Sequence, residues 1–289
     1  MDHRTTPHTS RRALLSTLGG VLGAAALAAC SADRRGGWPT SSARAVGAAG
    51  TPGSAATRSA TATATPTPTP TPTPTQTPVA LARRPLPAGT VTGLPAGTPG
   101  IAWTVDDGAD PDVVAAYARF AAETGTRLTF FVNGVRPAWT EHADLLRPLV
   151  ASGQVQLGNH TWDHPALTHL SDQGIADELT RNHDFIERTF GVDARPYYRP
   201  PFGYHDARVD AAAASVGYTT PLLWYGSLAD SGDITADQVV GFAEQWFQPA
   251  HIVIGHANHP GTIGALPRLG DLLRTRGLAT FTLDDVFSR

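Results

Sequence analysis

Four polar clusters in this 289-residue chain each follow a short apolar, β-prone run. Asp106-Asp107-Gly108 follows residues 101–105, and His160-Thr161-Trp162-Asp163-His164 follows residues 155–158. Arg199-Pro200-Pro201-Phe202-Gly203 closes residues 197–199, and His256 follows residues 251–255. Two histidines four apart can turn their ring nitrogens toward one centre, and a single carboxylate completes a three-ligand site with a position open to water. A His/His/Asp set without cysteine suits Zn²⁺, and the ligand types also admit Co²⁺, Mn²⁺ or Ni²⁺. Adjacent aspartates point in different directions, so one can bind a metal while the other serves as general base toward its water. His256, from another strand end, can protonate a leaving group. The set describes metal-assisted hydrolysis with acid and base on separate residues. Singly, each signal is ordinary: Asp-Asp-Gly is common in turns, and a lone His is often a core residue. The reading rests on their joint placement.

That placement requires strands that all end on one side. Residues 101–105, 128–132, 155–158, 197–199, 221–224, 251–255 and 279–283 give seven strand candidates. The segments between them carry helix punctuation. Asp110-Pro111 offers an N-cap followed by proline at the first helical position, Thr235 to Gln238 has capping-box spacing, and Gly125, Gly153, Gly191, Gly217 and Gly277 sit where helices should stop. Seven β/α alternations imply parallel strands with helical crossovers, in an open doubly wound sheet or a closed barrel. Both place chemistry at the carboxyl ends of the strands.

The composition divides the chain in two. There is no lysine; nine of the 22 basic residues, all arginine, lie in residues 1–84 beside only two acids, Asp2 and Asp33. Residues 85–289 hold 13 arginines against 23 acidic residues. The acidic part would repel phosphate, so the chain is not expected to bind nucleic acid. One cysteine excludes a disulfide framework within the chain. Residues 1–29 read as a signal peptide, with Arg11-Arg12 before an uncharged apolar run of 17 residues, too short and diluted for a permanent span. Leu27-Ala28-Ala29-Cys30 resembles a bacterial lipobox with Cys30 as lipidation site, and Ser10-Arg11-Arg12 resembles a twin-arginine export motif. Export to the outer face of the cell membrane as a lipoprotein, or secretion, is expected. Residues 30–95 read as a disordered Thr/Pro/Ala-rich linker; its Thr-Pro repeat alone would extend roughly 40 Å. Residues 96–289 remain as a single catalytic domain, expected to act as a monomer.

The motifs resemble those of the polysaccharide deacetylases of the NodB type, carbohydrate esterase family 4. That resemblance implies a distorted (β/α)₇ barrel. Thr104-Val105-Asp106-Asp107-Gly108 is similar to the family's Thr-Phe-Asp-Asp-Gly, which makes Asp106 the general base and Asp107 a metal ligand. His160 to His164 fits His-Ser/Thr-x-x-His and supplies the other two ligands. Arg199-Pro-Pro-Phe202 resembles Arg-x-Pro-Tyr, in which the arginine tethers the base and the aromatic residue's backbone N–H stabilises an oxyanion. Ile254-Gly-His256 resembles Leu-x-His, the general acid. The fourth motif, Asp-x-x-Asp-Trp, aligns with Ser227-Leu-Ala-Asp230-Ser231. Asp230 then orients the catalytic histidine, while Ser227 and Ser231 replace an acid and the groove-wall tryptophan. Trp162, Tyr204 or Trp139 are the aromatic candidates to replace that wall, although each fits core or rim packing better. The resemblance implies deacetylation of N-acetylglucosamine units in peptidoglycan or chito-oligosaccharide. The alternatives are O-deacetylation of acetylxylan or a glycan-binding pseudoenzyme.

Overall fold

The computed structural model describes residues 81–289; the expected signal peptide, the Thr-Pro repeat and Cys30 lie outside the described residues. Strand β1 (Arg84–Pro85) pairs in parallel with the last strand, β10 (Phe287–Ser288). The main sheet comprises β2 (Gly100–Asp107), β3 (Leu128–Val132), β4 (Val155–Asn159), β5 (Tyr197–Tyr198), β6 (Thr220–Pro221), β7 (Gly226–Ser227), β8 (Ile252–His256) and β9 (Ala279–Thr280). Its spatial order is β6-β5-β4-β3-β2-β8-β7, with β9 on the N-terminal end of β2, and every pair is parallel. All residues of β2, β3 and β4 are buried, as expected for strands covered on both faces. The result is a curled half-barrel.

Helices α1 (Pro111–Thr124), α2 (Ala138–Glu141), α3 (Ala143–Ala151), α4 (Asp172–Phe190), α5 (Ala207–Ser215), α6 (Ala236–Trp246), α7 (Gly261–Arg276) and α8 (Leu283–Val286) follow the strands. The caps fall where the sequence puts them. Asp110 accepts from the Asp112 amide at 2.9 Å, Thr235 and Gln238 form a capping box, and α1, α4 and α7 stop at left-handed Gly125, Gly191 and Gly277. Side-chain alternation along β2 divides the core. Ile101, Trp103 and Val105 face the helices, with Trp103 edge-on to Tyr117, Phe120 and Phe247. Ala102 faces the concave side with Phe131, Tyr197, Leu222 and Ile252, together with Val91 and Leu94.

Those last two residues correct the expected linker end at residue 95. The Val91 amide donates to the Pro221 carbonyl at 3.0 Å, the Leu223 amide donates to Val91 at 2.9 Å, and the Leu94 amide donates to Ala250 at 2.8 Å. The chain therefore joins the fold by residue 84. The strand expected at residues 221–224 is also interrupted. Thr220–Pro221 pairs with β5 at one edge of the sheet and Gly226–Ser227 pairs with β8 at the other, with the intervening residues crossing an open seam. Val91 and Gly93 bridge to Leu222 and His251 on the two sides of that seam, so the N-terminal lead supplies the pairing that barrel closure would have given.

Candidate active site

β2, β4 and β8 end at Asp107, Asn159 and His256, so sheet register alone brings three of the sequence clusters together. Asp106 is opposite His256 in the β2–β8 register. The backbone then departs from ordinary geometry at the functional positions. Six non-glycine residues among those described have positive φ, and Asp107, Thr161, His164 and Phe202 are four of them; Ala229, a fifth, precedes Asp230. Each such position costs of order 1–3 kcal/mol and persists where surrounding contacts over-determine it. Those contacts are present. Gly108, at φ +92, lies so close to the Trp139 ring that an added Cβ would sit 2.5 Å from it, and Trp139 Nε1 donates to the Asp107 carbonyl at 2.9 Å. Glu178 accepts from the Trp162 and Asp163 amides at 2.9 and 3.1 Å, and Asn133 donates to the Thr161 carbonyl at 3.1 Å, pinning the histidine loop.

Asp107, His160 and His164 bring one ligand atom each within 4.8 Å of one another. Asp107 Oδ1 is 3.3 Å from His160 Nε2 and 3.5 Å from His164 Nε2, and it is buried without a hydrogen-bond partner. Its other oxygen accepts from Asn258 Nδ2 at 2.6 Å. His160 Nδ1 lies 2.7 Å from the Arg199 carbonyl, an arrangement that puts the ring proton on Nδ1 and leaves Nε2 as a lone-pair donor. The electrostatics favour a cation here. Burial would raise the Asp107 pKa, but the hydrogen bond and charge of His160, with His256 and Asn258, hold it well below the usual carboxylate range. Burial works against a charged His160, yet Asp106 and Asp107 outweigh it and raise its pKa. His164 is pushed down to about 4 by burial and then by the charge of His160. Two imidazoles and one carboxylate gathered about a common point are a donor set that fits a divalent metal.

Beside it, Asp106 is buried and accepts from Arg199 Nη1 at 2.5 Å, with Oδ2 turned to 3.5 Å from His160 Nε2. Arg199 is itself fixed by donating to the Leu222 carbonyl and Thr104 Oγ1, both at 3.0 Å. Asp230 is fully buried; one oxygen is 3.0 Å from His256 Nδ1, and the other accepts from Thr262 Oγ1 at 3.1 Å. Burial would lower the His256 pKa, but the Asp230 hydrogen bond and the charges of Asp106, Asp230 and Asp107 raise it. A cavity of about 530 Å³ opens onto Asp106, Asp107, His160, His164 and His256 and onto Phe202, the central residue of a 3₁₀ turn.

The aromatic candidates for the missing groove wall separate. Trp139 is a core residue, Trp162 lies under the Arg181 guanidinium at 4.1 Å, and exposed Tyr204 flanks Phe202 at 5.8 Å. Trp224 lines the cavity instead, with Ser227 and Ser231. Sequence reading also missed Asn258 and Thr262. Asn258 had a signal, standing two residues beyond His256; Thr262 enters from the first turn of α7 and had none.

The half-barrel with its acids and histidines at the strand ends is the fold of the family 4 carbohydrate esterases, one of which superposes with a TM-score of 0.54 over 64% of this chain and 94% of that chain at 24% identity. The polysaccharide deacetylase family profile matches residues 94–221, and the chain belongs to that family. The solved T48 deacetylase with substrate is 30% identical, with a TM-score of 0.58 over 66% of this chain and 91% of that chain. Chitin deacetylase 1 of Cryptococcus neoformans is 38% identical over 119 residues, 41% of this chain and 24% of the relative. A peptidoglycan-N-acetylglucosamine deacetylase of Bacillus cereus is 26% identical over 64% of this chain and 87% of its own length. The chain spans 24% to 65% of the length of the leading curated relatives.

Proposed function

We propose that residues 84–289 form a metal-dependent deacetylase that releases acetate from N-acetylglucosamine units of a cell-wall or chitin-like polysaccharide. The observation that carries this reading is the buried, unpartnered Asp107 Oδ1 facing Nε2 of both histidines, beside an arginine-held carboxylate and an aspartate-held imidazole. Asp107, His160 and His164 would hold the ion, Zn²⁺ by donor set. When bound, it supplies Lewis acidity toward the acetyl carbonyl and water. Asp106, held by Arg199 through Oδ1, takes the proton of the attacking water through Oδ2. The Phe202 amide, on the turn that lines the cavity, would serve as donor to the developing oxyanion. His256, biased toward imidazolium by Asp230, gives its Nε2 proton to the departing amine nitrogen, which leaves poorly unprotonated. A lipid anchor at Cys30 and the Thr-Pro segment would keep this domain at the outer membrane face, which favours peptidoglycan over environmental polymers.

Acetate release from chitopentaose, peptidoglycan and acetylxylan, measured with and without chelator, tests the proposal. Activity is expected on at least one N-acetylated glycan, to be abolished by chelation and restored by Zn²⁺. Turnover that survives complete chelation would overturn the metal assignment, and release from acetylxylan alone would make this an O-deacetylase.

Asn258 gives a test of the metal site that needs no turnover. By holding Asp107 Oδ2 and accepting from the Ala109 amide at 3.2 Å, it aims Oδ1 at the histidines. Asn258→Ala should weaken Zn²⁺ binding about 10- to 100-fold in a competition titration. The melting temperature of the metal-free protein should stay close to wild type.

A further inference from the structure

Among the described residues Arg136 is the only arginine lining the active-site cavity, and the chain contains no lysine. It sits on the turn after β3. Its amide donates to the Asn133 carbonyl at 3.0 Å, and the preceding Val135 amide donates to the Trp162 carbonyl at 3.1 Å, so the turn is tied to the histidine loop. The ion pairs of the site join Asp106 to Arg199 and Asp107 to the two histidines, leaving Arg136 out. Its Nε is buried and has no hydrogen-bond partner. Buried polar groups are nearly always paired. The Arg136 side chain as a whole is only partly buried where it lines the cavity, and among the described residues its guanidinium makes no ion pair, so it can take an acceptor that comes with the ligand. Surplus base does not account for it, because residues 85–289 carry 23 acids to 13 arginines.

We propose that Arg136 forms a carboxylate subsite. The preferred substrate is then a glycan that carries a carboxylate within one sugar of the acetamido group being cleaved. A guanidinium fork matches a carboxylate in two parallel hydrogen bonds. With Asp106 and Asp107 in the same cavity, one arginine suits a monoanion better than a phosphate dianion. Muramic acid freed of its peptide presents such a group on its lactyl ether, and chitin-like oligomers have none. The position of the subsite beside the scissile bond rests on the deacetylase reading above.

The experiment compares a peptide-free GlcNAc–MurNAc tetrasaccharide, its lactyl methyl ester, chitotetraose and a GlcNAc–glucuronate tetrasaccharide. Binding is measured by calorimetry on the Zn²⁺-loaded protein and turnover by acetate release. The wild type should bind the free acid about 10- to 100-fold more tightly than the ester, the range expected for hydrogen bonds to a charged group. Arg136→Gln should remove that preference and lower kcat/KM on the acid at least about tenfold more than on chitotetraose. Arg136→Lys should recover part of it. The glucuronate arm shows whether a ring carboxylate serves as well as a lactyl one. A wild type indifferent to esterification, or an equal loss on all substrates, would overturn the subsite. Calorimetric discrimination without acetate release would instead sink the deacetylase reading and leave the subsite standing.

Discussion

Asp106→Asn is expected to cut acetate release about 10²- to 10⁴-fold, the usual range for loss of a positioned general base. The substitution keeps shape and removes the charge and basicity. Asp106 is almost fully buried, so it cannot be replaced by bulk hydroxide without access through the cavity. Its Oδ1 is committed to Arg199, and only Oδ2 is left to take a proton. An asparagine can still turn its carbonyl oxygen to Arg199, but it then presents an NH₂ group to the water. Removing the charge also leaves the Arg199 guanidinium buried without a counter-ion, which costs about 3–5 kcal/mol where nothing relaxes. Activity must therefore be read beside the melting temperature and the Zn²⁺ affinity. The proposed metal ligands Asp107, His160 and His164 remain in place, so binding of Zn²⁺ should persist. A folded, Zn²⁺-binding Asp106→Asn protein with more than a tenth of wild-type activity would remove Asp106 from the general-base role.

The contrast between what the chain revealed and what it hid follows from how local each feature is. Asp106-Asp107-Gly108 and His160 to His164 were readable as a cluster because a turn of a few residues sets their spacing, and Asp107, His160 and His164 do lie together. The caps at Asp110 and Thr235 were readable for the same reason. Assembly of the site followed from one further inference, that parallel strands share a carboxyl end. The open seam was not readable. Pro221 lacks the amide a central strand needs, yet a short apolar run around it looks like a strand until its hydrogen-bond partners are known. Val91 and Leu94 were hidden in a Pro/Gly-rich segment because nothing within it marks the gap it fills. Trp139, a candidate sugar wall by residue type, is the packing partner that makes Gly108 necessary. Trp224, Arg136 and Thr262 reach the cavity or its supports from separate elements, and no spacing rule connects them.

The second large effect concerns the acid. His256→Ala should also lower amide cleavage about 10²- to 10⁴-fold, since an unprotonated amine is a poor leaving group, and should abolish the high-pH limb of kcat. Asp230→Asn tests what raises the His256 pKa. A general acid works only below its own pKa, so kcat falls as pH rises through that value. Asp230 raises the His256 pKa by hydrogen bond and charge, against burial; removing its charge must move the limb to lower pH. Thr262→Val should give a smaller displacement in the same direction, because Asp230 loses one donor, becomes less well fixed and holds the imidazolium less firmly. Loss of packing would reduce kcat at every pH and leave the limb where it was. Asp230→Asn with an unshifted limb would thus assign Asp230 to the scaffold and leave the protonation of His256 to Asp106 and Asp107.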